Sequence, residues 1–287
     1  MKIAVLGDVM LDVVVAPIGL FSPTSDTPSR VRIGRGGSGA NLAIALARTH
    51  DVTYLGAVGS DGAGTLWREH LAKSAVSARL EVLDAPTGVV VALVGDDGQR
   101  AMYSDRGANS LLSLAFVESA LSDFSHLHVS GYSLLDAATR DVAVAALAHS
   151  RSRGFSTSVD VCSVGPLAQV GPALFSSLVT GVDFLFANEE EAVALGGGDI
   201  DGALSFLSAL AREVLVTRGA RGALALRDGV TSSAPSVARD VFDTTGAGDA
   251  ATGTYLGARL AGESVGVALN NAMAAAATVV GGLGAGD

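Results

Sequence analysis

At 287 residues, 49% of them apolar and 5% aromatic, the chain is long enough for a sizeable core and has too much to bury to be a disordered segment. A formal net charge of -10 with no local basic run argues against nucleic acid or an anionic membrane surface as a partner. The single cysteine, Cys162, cannot form an internal disulfide, and Asp8 and Asp12 interrupt the apolar opening MKIAVLGDVMLDVVV that a signal peptide would need, so the cytoplasm is the expected compartment.

Short runs of Val, Leu, Ile and Phe alternate with longer Ala-rich stretches, the pattern of βα units stacked on a mainly parallel sheet. Strands are predicted at 3–6, 53–57, 127–130, 155–160, 184–187 and 214–217, and helices at 39–49, 65–74, 137–150, 200–211, 248–260 and 265–280. The whole chain, 1–287, reads as one α/β domain. Two segments break the rhythm. Residues 87–109, TGVVVALVGDDGQRAMYSDRGAN, are two strand-like runs around Gly-Asp-Asp-Gly, a hairpin by spacing and turn chemistry. With extended pieces near 12–16 and 29–33 it would form a small separate sheet, and the segments 12–33 and 87–108 are expected to serve as a lid. Near the end, 264–286 is uncharged and long enough to cross a bilayer. Asn270 and Asn271 in its middle and five glycines make it a buried helix followed by a glycine-rich loop instead.

Several residues are assigned structural roles. None of the five histidines has metal-ligand spacing, and His126 and His128 are expected to straddle the two faces of a strand. Cys162 reads as a small buried side chain, and Tyr103 and Tyr132 as packing aromatics, with covering the flat or apolar face of a ligand as the alternative.

Two glycine-rich stretches carry possible chemistry. GRGGSG at 34–39 matches a dinucleotide pattern with Asp61 beyond it, yet that fingerprint requires the first βα turn of a βαβ unit, and the preceding run here is a short basic RVRI. A nicotinamide-dependent oxidoreductase therefore stays as an alternative. No G-x-x-x-x-G-K-[ST] sequence exists, so a nucleoside triphosphate is not held by a P-loop. In DTTGAGDAATG at 243–253, Gly-Ala-Gly before an Ala-rich helix would aim bare backbone N–H groups and the positive end of the helix dipole at one spot, which suits an anion. Asp249 beside that spot is placed to take a proton from a hydroxyl attacking a bound phosphate. A glycine turn with an acid complementing the helix dipole is the plain alternative.

DTTGAGD, with GRGGSGAN in the N-terminal third, ANEEEA in the middle and VTRGARG after it, resembles in content and order the motifs of the ribokinase-like, or PfkB, carbohydrate kinase family. The resemblance runs from Gly7 to about Ala285 and implies a three-layer α/β/α fold with a mainly parallel central sheet and a small β-sheet lid. It implies that Asp249 is the base activating a sugar hydroxyl and that the backbone of Gly246, Ala247 and Gly248 forms the anion hole. Asp243, Thr245 and the stretch near Ala285 correspond to a loop that binds a monovalent cation, K⁺, in many members. The N-x-x-E pattern falls on Asn188 and Glu191, which would organise Mg²⁺ and the phosphates of ATP largely through water. Thr217, Gly219 and Gly222 resemble the nucleotide-phosphate and adenine edge, and Asn271 a position beside the adenine. On the acceptor side Asp12 matches a carboxylate that accepts sugar hydroxyls, and Gly36, Gly37 and Asn41 a loop that lets a sugar approach backbone; Ser38 and Met10 depart from the ribokinase pattern. Arg106 and Asn109 stand at the foot of the hairpin, where Arg106 would grip a sugar-acid carboxylate or form a salt bridge within the lid. The implied activity is ATP-dependent phosphorylation of a primary hydroxyl of a small sugar, sugar acid or nucleoside. A homodimer through the lid is expected, and a non-catalytic sugar-binding relative is a further alternative.

Overall fold

The opening strand shows how a continuous apolar run serves two layers. In β1 (Lys2–Leu6) Ile3 and Val5 point into one hydrophobic cluster while Ala4 and Leu6 point into another on the opposite face. A strand alternates its side chains with period two, so a run apolar at every position is satisfied only where helices cover both faces. The computed structural model describes residues 1–19, 24–95, 100–239 and 244–281.

In chain order β1 is followed by β2 (Met10–Pro17), β3 (Ser29–Gly36), α1 (Ser38–Leu46), β4 (Asp51–Gly59), α2 (Gly62–Lys73), β5 (Ser77–Leu83), β6 (Thr87–Val94) and β7 (Arg100–Gly107). Next come α3 (Leu114–Ala120), β8 (His126–Ser130), α4 (Gly131–Leu135), α5 (Arg140–Ser152), β9 (Ser156–Asp160), α6 (Val164–Val170), α7 (Pro172–Val179) and β10 (Val182–Asn188). The chain continues through α8 (Glu189–Gly196), α9 (Ile200–Ser208), β11 (Ala211–Thr217), β12 (Ala223–Arg227), β13 (Val230–Ala234), α10 (Ala247–Leu260) and α11 (Val265–Val280).

Nine strands form one sheet in the order β13-β12-β11-β10-β9-β8-β1-β4-β5. The seven from β11 to β5 run parallel; β12 and β13 add an antiparallel edge. Chain order reverses where β1 lies between β8 and β4, and the crevice beyond the carboxyl ends of strands at such a switch is where open α/β sheets bind ligands. A second sheet, β3-β2-β6-β7, stands apart and is built from the segments read as a lid. Its strands β6 and β7 pair antiparallel from Thr87↔Gly107 to Val94↔Arg100, the hairpin expected from the spacing; residues 96–99 of its turn lie outside the described residues.

Three expectations are corrected. His126 and His128 share one face of β8, both ring-bonded to Ser158 Oγ (2.8 and 2.9 Å), because residues two apart in a strand point the same way. The helix expected at 137–150 begins at Arg140, after the separate short α4, and the one expected at 200–211 ends at Ser208, since Ala211 already pairs with Val182 in the sheet. In agreement with its sequence context, GRGGSG joins β3 of the accessory sheet to α1 and does not form the βαβ turn that a dinucleotide fingerprint needs. Among the described residues no helix is long and apolar enough to cross a membrane, and α11 buries Ala268, Leu269, Ala272 and Met273 against the sheet's helical layer.

Candidate active site

A cleft of about 1160 Å³ opens over the carboxyl ends of the parallel strands, between them and the accessory sheet. The first turn of α10 forms part of its floor. Gly246, at φ 76°, is the N-cap in the left-handed region, and no side chain caps the turn; a Cβ there would add about 1–2 kcal/mol of strain. Ala247 N–H donates to Thr244 O (3.2 Å) and Ala250 N–H to Gly246 O (2.9 Å). The amides of Gly248 and Asp249 between them belong to the first turn, whose donors an α-helix leaves without intrahelical partners. Gly246 and Gly248 line the cleft, and a Cβ on Gly248 would project into open space. Bare amides and the helix dipole thus face the cleft together, which favours an anion there.

Asp249 stands in the same turn. Its Oδ1 accepts from Ser38 Oγ (2.8 Å) and its Oδ2 from Asn41 Nδ2 (2.9 Å), both on the first turn of α1. The two helices come this close because α10 meets α1 through Gly253: a Cβ there would lie 2.8 Å from Ala45 Cβ and 3.0 Å from Leu42 O, nearer than packed atoms tolerate. Protein encloses the Asp249 carboxylate apart from its face on the cleft; burial pushes its pKa up, and the bonds from Asn41 and Ser38 pull it partly back. The result is a carboxylate more basic than a solvated one, oriented by two neutral donors.

On the side nearer the accessory sheet, Asp8, Met10, Asp12, Gly37 and Asn41 line the cleft. The Asp12 carboxylate lies over the backbone of Gly36, where any Cβ would overlap it. Arg106, at the end of β7, donates from Nη2 to Asp8 Oδ1 (2.6 Å) and from Nη1 to Tyr132 O (2.6 Å), with Asp136 Oδ2 at 3.1 Å. Tyr132 and Asp136 follow β8, so this cluster ties the foot of the hairpin to both strands at the switch point.

Toward β10 and β11 the cleft is lined by Asn188, Glu191 and Thr217. Asn188 caps α8: its side chain accepts from Glu191 N (2.8 Å), while Glu191 Oε2 accepts from Asn188 N (2.8 Å) and Oε1 from Asn188 Nδ2 (2.7 Å). The cap fixes Glu191 in a buried position where desolvation, with the nearby Asp249 charge adding, pushes its pKa up to about 7 against the pull of the Asn188 amide. Asp160, ending β9, is driven well above the usual carboxylate range by burial, then by the charges of Glu191 and Asp249. Three hard-oxygen groups that resist ionising together suit a small divalent cation. Among the described residues no three such groups converge tightly enough to chelate an ion directly, so one bound here would keep much of its water.

The structure therefore brings Asp249, Gly246, Gly248, Asp12, Gly37, Asn41, Arg106, Asn188, Glu191, Thr217 and Thr245 to one cleft. Ala247 and Gly36 support it through backbone. Asn109 is buried away from the cleft: its Oδ1 accepts from Val9 N (2.9 Å), and Nδ2 donates to Val9 O (2.8 Å) and Arg106 O (2.9 Å), a clamp between the β1–β2 link and the hairpin. Gly219 and Gly222 lie in the turn joining β11 to β12, and Asn271 on the exposed side of α11, all outside the cleft lining. Asp243 and Ala285 lie outside the described residues. Reading the sequence alone missed Asp160, Asp8 and Asp136; the only signal for Asp160 is a lone acid closing an otherwise apolar and hydroxylated strand, STSVD. Cys162, adopting φ 74°, is half-buried in the cleft lining and not packed in the core as expected, and burial with the Asp160 charge pushes its thiol well up, which disfavours the thiolate. Tyr132 lines the cleft, whereas Tyr103 is exposed on the accessory sheet.

A parallel α/β/α sandwich with a separate sheet over its switch-point cleft and an uncapped glycine turn at the cleft floor is the ribokinase-like architecture. The chain belongs to the pfkB family of carbohydrate kinases, whose family model matches residues 1–287. Among curated relatives, the bifunctional protein HldE of Pseudomonas aeruginosa is 31% identical over 299 residues, covering 98% of this chain; the chain spans 60% of that protein's length. The crystal structure of adenosine kinase from Sinorhizobium meliloti superposes with a TM-score of 0.89 at 23% identity, covering 100% of this chain and 95% of that one. A putative ribokinase II from E. coli in complex with ATP and Mg²⁺ gives a TM-score of 0.83 at 25% identity, covering 99% and 94%.

Proposed function

We propose that this protein transfers the terminal phosphoryl group of ATP to a primary hydroxyl of a small sugar, sugar acid or nucleoside. The observation that carries the reading is Asp249, held by Ser38 and Asn41 one residue beyond the cleft-facing amide of Gly248. An acceptor hydroxyl lying between Asp12 and Asp249 would lose its proton to the Asp249 carboxylate as its oxygen attacks. The amides of Gly246 and Gly248, joined by that of Ala247 once it gives up its bond to Thr244 O, would meet the charge developing on the migrating phosphoryl; one such preorganised donor in a water-excluded site is worth about 3–4 kcal/mol.

Mg²⁺ fits the residues present. Glu191 and Asp160 would hold it largely through water, and bound there it would neutralise the phosphates. Thr217 would face the nucleotide phosphates, with Gly219, Gly222 and Asn271 toward the adenine. Asp243, Thr245 and Ala285 are the proposed K⁺ loop. The accessory sheet would close on the acceptor and exclude the water that competes for the phosphoryl group.

A coupled ADP-release screen over pentoses, hexoses, sugar acids and nucleosides, with and without K⁺, tests the reading. Acceptor-dependent ADP release that disappears in Asp249→Ala is the expected result. Release unchanged in that variant would refute the assigned base, and calorimetric sugar binding with no release under any nucleotide would mark a non-catalytic relative.

A further inference from the structure

Resting on the phosphotransfer reading and narrowing it, we propose that the acceptor is an uncharged polyol, and that the Asp8–Arg106–Asp136 cluster turns sugar acids and sugar phosphates away from this cleft. Among the described residues lining the cleft, the cationic side chains are Arg106 and Arg140. Recognition of a carboxylate or phosphate by arginine uses the paired N–H donors of the guanidinium fork. Both forks are largely engaged within the protein, Arg106 through its two terminal nitrogens with Nε buried and unpartnered, and Arg140 through two of its three nitrogens. Arg106 gives Nη2 to Asp8 (2.6 Å) and Nη1 to Tyr132 O (2.6 Å) and Asp136 (3.1 Å). Arg140 gives Nε to Leu134 O (2.9 Å) and Nη2 to Leu135 O (3.1 Å), the carbonyls that end α4.

Three carboxylates, Asp8, Asp12 and Asp136, stand on this side of the cleft against those two cations. The central group is poorly solvated, with the side chains of Arg106, Asp8 and Asp136 only 17%, 8% and 20% exposed, so solvent ions screen it weakly. To grip an anionic acceptor, Arg106 would have to release Asp8 and Asp136, leaving two carboxylates buried without their cation beside a third negative charge, which is the costly way to break a buried pair. Sugar hydroxyls meet no such obstacle. They are donors, and an ionised carboxylate accepts several at once.

The discriminating experiment pairs neutral acceptors with anionic analogues that keep a free primary hydroxyl: ribose with ribose 1-phosphate, glucose with gluconate, adenosine with adenosine 3′-phosphate. For each, kcat/KM is measured by ADP release and Kd by calorimetry. The best neutral acceptor should exceed every anionic one by at least a hundredfold in both readouts. An anionic acceptor ranking first in either overturns the proposal, as does binding of none of them. Absence of ADP release with the hundredfold binding preference intact would overturn the phosphotransfer reading while leaving the charge assignment standing. In Asp136→Asn, with Asp8→Asn as a second variant should the first fold poorly, the neutral-to-anionic ratio should shrink about tenfold as Arg106 is freed. An unchanged ratio in a folded variant removes the cluster from that role.

Discussion

Asp249 is poised by its neighbours more than by its own chemistry. Two neutral donors hold both oxygens without neutralising the charge, and burial leaves it more basic than a surface aspartate. Asp249→Ala should lower kcat by about a thousandfold or more, within the range general-base catalysis reaches together with positioning, while acceptor Kd changes little. Steady-state kinetics with calorimetry checks both halves. Asn41→Ala tests the support. A hydrogen bond to a charged group is worth about 1.5–3 kcal/mol, and losing one that favours the ionised form raises the Asp249 pKa further. The acidic limb of the kcat/KM profile should therefore move to higher pH; a limb that stays in place would show that Asn41 serves only the acceptor.

At the scale of elements, the site exists because α10 can lie against α1. Gly253→Val would push the helices apart at Ala45 and Leu42, so the expected outcome is a loss of about 1–3 kcal/mol of stability with a fall in kcat as the Ser38 and Asn41 bonds lengthen. Denaturant titration and kinetics on the same sample read both. The β8–β9 layer makes a different prediction. His126 and His128 are fully buried, bonded to Ser156 and Ser158, and desolvation holds both pKa values down at about 3 against an ordinary 6.5. Between those values the unfolded chain takes up protons that the folded state refuses. Their contribution to stability is therefore complete above about pH 6.5 and is lost progressively as pH falls toward 3, each tenfold difference in proton affinity being worth about 1.4 kcal/mol. His128→Gln should flatten the decline in urea stability between pH 6.5 and 4 relative to the parent chain; equal slopes would refute that assignment.

Over the whole molecule, the two faces of the accessory sheet differ. Asp12, Val90, Met102 and Ser104 face the cleft. The opposite face carries a row of Ile33, Val13, Val91 and Tyr103 in register across all four strands, with Val31, Val15 and Leu93 beside it. Val31, Ile33 and Tyr103 are 58%, 64% and 63% exposed, an apolar surface of the kind that protein partners cover. The proposed homodimer would bury this face, and Ile33→Lys should convert a dimer to monomer in sedimentation analysis, with a weakened acceptor affinity if the pairing steadies the lid.

What the sequence by itself determined is what local pattern encodes. Strands buried on both faces, such as KIAVL and VDFLFAN, are apolar runs that could be read directly, whereas the edge strand β5, SARLEVL, mixes Arg79 and Glu81 into an exposed face and carries no such signature. DTTGAGD and NEEEA were legible because each places its chemistry on a single turn, where backbone geometry follows from a few adjacent residues. The tertiary structure alone decided which distant groups meet. Ser38 lies 211 positions from Asp249, and Arg106 lies 98 from Asp8; the first pairing depends on two helices touching where a glycine lets them, the second on an inserted sheet folding back over the switch point. It also shows Arg106, which the sequence left as either an anion clamp or a salt-bridge partner, ion-paired to Asp8 and Asp136, and the charge available to a ligand is what remains after the protein's own carboxylates have been satisfied.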